Sequence, residues 1–115
     1  MLKIRQEHLD FFAKSGLKRF ATRMNTHVRE CWPEECAKLC PENSLAAVER
    51  LIERARTWQV QNEYDTGRFI DIAFATEDLE WDGKDWAQPV LKDPDLATQH
   101  KMNLLWAHVE KHLAD

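Results

Sequence analysis

Apolar residues in this chain recur at steps of three and four, and almost nowhere at steps of two. That periodicity limits the fold more than any other feature. Over residues 4–31 the series is Leu9, Phe12, Ala13, Gly16, Phe20, Met24, Val28 and Cys31. A second series is Leu45, Val48, Leu51, Ile52, Ala55 and Trp58, and a third is Phe69, Ile70, Ala73 and Phe74. The last, within residues 96–113, is Met102, Leu105, Trp106, Val109 and Leu113. Each is the one-sided stripe of an amphipathic helix. Ile72 makes the third stripe apolar nearly all round, so it is expected to be the central and most buried helix. Alternating Val/Ile/Thr runs and hairpin turns between them are absent.

Punctuation supports the same segments. Pro33 ends the first helix, because proline cannot donate to the helical ladder and restricts the residue before it. Pro33 and Pro41 bracket a short helix over residues 34–40. Asn43 or Ser44 can cap the next, and the one after starts near Asp65 or Thr66. A helical turn is expected over residues 86–92, followed by a turn and cap at Asp93, Pro94 and Asp95. A helix running through residues 4–31 would be about 42 Å long, so it must bend, break or protrude from a domain of this size. The expectation is an all-α, single-domain helical bundle over residues 1–115, with four main helices plus short helical turns.

Composition narrows the function. The 115 residues can bury a core without disulfides or metals. A net charge of −4 argues against nucleic acid as the main partner. No apolar run is long enough to cross a membrane, and no secretory core opens the sequence. A cytoplasmic location is therefore expected, with the three cysteines reduced. Charge is uneven. Residues 1–31 hold 7 Lys/Arg against 3 Asp/Glu, and residues 77–95 hold 7 Asp/Glu against 2 Lys. The two regions are either solvated faces of opposite sign or, for the acidic one, a patch that steers a basic partner.

Catalytic and metal motifs fail their tests. His108 and His112 lie one helical turn apart, but Val109 stands where a zinc protease needs its glutamate. His27, Cys31, Cys36 and Cys40 have the spacing of two helical pairs. Buried thiols are the expectation; a zinc knot or a Cys31 nucleophile with His27 as base are the alternatives. Asp78, Glu80, Asp82 and Gly83 imitate the start of a calcium loop, yet Pro89 occupies the place of the closing glutamate. No catalytic, cofactor-binding or metal-ligating residue is expected.

Tryptophan is the more informative signal. Trp58 and Trp106 fit helical stripes, and Trp32 sits at the end of the first helix. Trp81 and Trp86 lie in the acidic stretch with Asp78, Glu80, Asp82 and Asp85. There they either tuck over the core or stand exposed as interface hot spots. Asp71, on an otherwise apolar helix, needs a partner when buried. Arg19 or Arg23 could supply a structural ion pair; otherwise the carboxylate is a polar anchor for a binding partner.

Several strings together resemble a known group. Arg19-Phe20, Arg23-Met24 and His27-Val28-Arg29-Glu30 precede Trp32-Pro33. Phe69-Ile70-Asp71-Ile72-Ala73-Phe74 precedes the acidic loop, and Trp86-Ala87-Gln88-Pro89-Val90-Leu91 precedes Asp93-Pro94. The layout resembles small helical accessory proteins encoded in bacterial type VI secretion effector operons. Members of that group often carry glycine before the acidic loop, where Ala75, Thr76 and Glu77 stand here. The resemblance implies a co-chaperone-like protein that binds an adaptor chaperone or effector and supports effector stability and loading. The alternative is an immunity protein that neutralises a cognate toxin. The candidate protein-binding residues are Asp78, Glu80, Trp81, Asp82, Asp85, Trp86, Arg19, Arg23 and Asp71. A homodimer is also compatible with this reading.

Overall fold

Helix α4, Glu63–Ala75, runs through the middle of the molecule in the computed structural model, which describes residues 14–40 and 42–114. Phe69, Ile70, Ile72, Ala73 and Phe74 are all fully buried. No single stripe can do that, so the helix must be covered on both sides. On one side lie α1 (Lys14–Cys31), α2 (Pro33–Leu39) and α3 (Ser44–Thr57). On the other lies α6 (Thr98–Ala114), with a 3₁₀ turn at Trp81–Gly83 and the short α5 (Gln88–Leu91) packed around it. The protein is all-α. Its helices share one contiguous core. At roughly 1.5–3 kcal/mol for each fully buried large apolar side chain, the α4 residues are a main source of stability.

The helix starts follow from side-chain caps. Asn43 Oδ1 accepts from Ala46 N at 3.0 Å and opens α3. Asn62, not Asp65 or Thr66, opens α4, its Oδ1 accepting from Asp65 N at 2.8 Å. Asp65 is instead buried. Its Oδ2 accepts from Asn62 Nδ2 at 2.8 Å and from Thr98 Oγ1 at 2.9 Å. One carboxylate thus ties the start of α4 to the start of α6.

Helices α3 and α4 end in the same way. Gln59 N donates to Arg56 O and Val60 N to Ala55 O, both at 3.0 Å. Glu77 N donates to Phe74 O at 3.1 Å and Asp78 N to Ala73 O at 2.9 Å. These are paired reverse bonds that satisfy the last carbonyls of a helix, and they require a left-handed residue. Gln59 and Glu77 supply it at φ 68° and 55°, although glycine is the usual occupant. Glu77 therefore adopts the conformation that a glycine before the loop would adopt. Glu77→Gly is expected to be neutral or stabilising by up to about 1 kcal/mol. The relieved backbone strain offsets the greater freedom of glycine in the unfolded chain and the loss of the exposed Lys38–Glu77 pair, itself worth ~0–1 kcal/mol. Urea unfolding checks this; a loss above about 1 kcal/mol would contradict it.

Residues 4–13, with Leu9, Phe12 and Ala13 of the first stripe, lie outside the described residues, as does the Leu113 side chain. Within the described part of that stripe, Phe20, Met24 and Val28 are buried as expected, but Cys31 is exposed. Cys31 is the solvent-facing last residue of α1.

Candidate functional site

The acidic tryptophan stretch divides into an inner and an outer half. Trp81 is fully buried, and its Nε1 donates to Phe69 O at 3.2 Å. Asp82, only 2% exposed, points into the protein. Its carboxylate accepts from Arg54 Nε at 2.9 and 3.1 Å, from Arg54 Nη2 at 2.9 Å and from Trp58 Nε1 at 2.8 Å. These two candidates are therefore not surface residues. Their polarity and ring are spent on clamping the loop to α3 and α4. The imitation of a calcium loop also dissolves, because Asp82 faces a guanidinium while Asp78 accepts from the Glu80 N–H at 2.9 Å.

The outer half remains at the surface. Asp85 and Glu80 are exposed, and Glu80 lies 3.6 Å from Arg50. Asp78 is 3.5 Å from Lys84. Trp86 is half-buried and stacks on Trp81, with centroids 5.7 Å apart and planes 17° apart. Its other neighbour is His108, stacked at 4.6 Å and 14°. His112 continues the series at 4.4 Å. A ladder of rings thus leads from Phe69 in the core through Trp81 and Trp86 to His112 in solvent.

That ladder forms one wall of a groove of about 360 Å³, lined by Ala75, Thr76, Glu77, Trp86, His108, Val109 and His112. Partial burial, then the electrostatic influence of His112 and Lys111 beside it, lowers the His108 pKa from its ordinary value of 6.5. That direction favours the neutral ring, which lies flat against Trp86. The groove combines an aromatic platform, small side chains from the end of α4, and a carboxylate at the rim from Glu77. Of these lining residues only Trp86 is a protein-binding candidate from sequence; His108, weighed there as half of a metal pair, and Ala75 join it through the packing of α6 on α4.

Asp71 and the two arginines do not meet. Arg23 pairs with Glu63 and lies 5.8 Å from the Phe20 ring centre. Arg19 is exposed. Asp71 Oδ1 is held instead by His27 Nε2 at 2.8 Å and Trp32 Nε1 at 3.0 Å. The partner of this carboxylate therefore comes from the junction of α1 and α2.

The cysteines form two separate arrangements. Cys31 Sγ lies 3.6 Å from His27 Nδ1. Cys36 is buried, and its sulfur lies 3.9 Å from that of Cys40. Burial, then the neighbouring Cys36, push the Cys40 thiol up to about 11. Among the described residues, no three His, Cys, Asp or Glu side chains are placed to share a metal ion. Among the described residues, no helix is long and apolar enough to cross a membrane. Comparison with protein-family models, curated proteins and solved structures found no match.

Proposed function

We propose that this chain is an accessory, co-chaperone-like protein that binds an adaptor chaperone or effector of type VI secretion and keeps the effector fit for loading. The observation that supports a binding role is the Trp86 groove. Half-buried tryptophan on a rigid support is the kind of residue that dominates interface energetics, because little side-chain entropy is lost when it is covered. Trp86 is fixed on both faces by Trp81 and His108, and apolar Ala75 and Val109 line the groove beside it. Glu77 at the rim, paired with Lys38, and exposed Asp85, next to Trp86 in the chain, place carboxylates beside the anchor, which favours a client segment with a basic residue. The choice of type VI secretion rests on the sequence resemblance.

The test is co-purification with the products of the neighbouring operon genes. Trp86→Ala is expected to weaken capture about 30-fold, equivalent to ~2 kcal/mol. Combined Glu77→Lys and Asp85→Lys should weaken it with the fold intact, as monitored by circular dichroism. A native protein that captures none of the neighbouring products would refute the proposal. Rescue of cells that make the free toxin would instead assign the immunity role.

A further inference from the structure

His27 and Cys31 lie one turn apart on α1, and the fold adds a third group from another helix. Asp71 comes from α4, 44 residues along the chain from His27. The order of contacts is Cys31 Sγ to His27 Nδ1 at 3.6 Å, then His27 Nε2 to Asp71 Oδ1 at 2.8 Å. This is the connectivity of a nucleophile, a base and the acid that orients the base.

The proton positions follow from the donor inventory. An ionised carboxylate only accepts, and the Trp32 indole N–H donates to the same Oδ1 at 3.0 Å. His27 Nε2 must therefore carry hydrogen. In the neutral ring Nδ1 is then a lone pair, and it faces the Cys31 thiol. The sulfur is exposed. The other two cysteines are poor competitors: Cys36 is buried, and the Cys40 proton is held by burial.

We propose that Cys31 is a nucleophilic thiol that exchanges with small disulfides, with His27 as its base and Asp71 as the residue that positions the base. As Sγ attacks one sulfur of the disulfide, its proton passes to His27 Nδ1. A new S–S bond forms to Cys31 while the old one breaks. The departing sulfur leaves with the electron pair and takes the proton from Nδ1 as a thiol. Cys31 is oxidised to a mixed disulfide and the other half of the reagent is reduced. The proton leaves during attack and not before it.

The test treats the reduced full chain with oxidised glutathione at pH 7 and follows adducts by intact mass and peptide mapping. One adduct, on Cys31, is expected. Its rate should exceed that of the same thiol in the urea-unfolded chain by at least about tenfold, as general-base assistance allows. The folded rate should also level off at a lower pH than the unfolded one. His27→Gln should return the rate to the unfolded value. Asp71→Asn should lower it several-fold and shift the pH profile. Equal folded and unfolded rates with matching pH profiles would overturn the proposal without any variant. A His27→Gln protein that is folded and reacts as fast as the native one would do the same.

Discussion

Replacing Asp82 with alanine is expected to destabilise the protein by about 3 kcal/mol, the lower part of the range for breaking a buried ion pair. The carboxylate is the common acceptor of the Arg54 guanidinium and the Trp58 indole N–H. Its removal leaves both donors without their acceptor. The Arg54 side chain is 32% exposed, so water takes over part of its charge, and that moderates the loss. Asp82→Asn keeps the shape and one acceptor, and should cost roughly half as much. Urea unfolding at neutral pH measures both. A double substitution of Arg54 and Asp82 should be less harmful than the separate losses added together, since the stranded charge is then gone. An Asp82→Ala loss below about 1 kcal/mol would mean that the pair is effectively solvated.

Trp81→Ala should be the larger of the two, at about 4 kcal/mol. Trp81 is the largest of the fully buried side chains. Alanine opens a cavity beside Phe69, whose ring centre is 4.7 Å away, and leaves Phe69 O without the indole donor. Trp81→Phe should recover more than half of the loss, since most of the volume returns and only the hydrogen bond is missing. A domain of this size has about 5–15 kcal/mol in hand, so the alanine variant should unfold at markedly lower urea. A loss under about 2 kcal/mol would show that the neighbouring rings can collapse into the gap.

These two residues also mark where sequence reading stopped. The helices were legible because their signals are local. Val48, Leu51, Ile52 and Ala55 define α3 by spacing alone, and Ile72 among its apolar neighbours announced the buried centre. Trp81 and Asp82 sit among acidic neighbours, and the local pattern leaves open whether the tryptophan tucks over the core or stands exposed. The burial of Asp82 depends on Arg54 and Trp58, in the last turn and cap of α3, 28 and 24 residues upstream, and that of Trp81 on Phe69, 12 residues upstream. Asp71 shows the same limit. Its need for a donor was evident from the apolar helix around it. The choice of His27 and Trp32 over Arg19 and Arg23 depends on how α1 is rotated against α4, which spacing does not encode. Sequence places the start of α4 near Asp65 or Thr66, a few residues late: Asn62 caps the helix and leaves Asp65 to bind Thr98.

The two-sided cover of α4 has a consequence for the order in which the chain is made. Helices α1, α2 and α3 precede α4 and can receive one side of it at once. The other side waits for α6, whose end lies 39 residues beyond the end of α4. At ~5–20 residues per second, the ribosome leaves that greasy flank of the newborn protein uncovered for about 2–8 s.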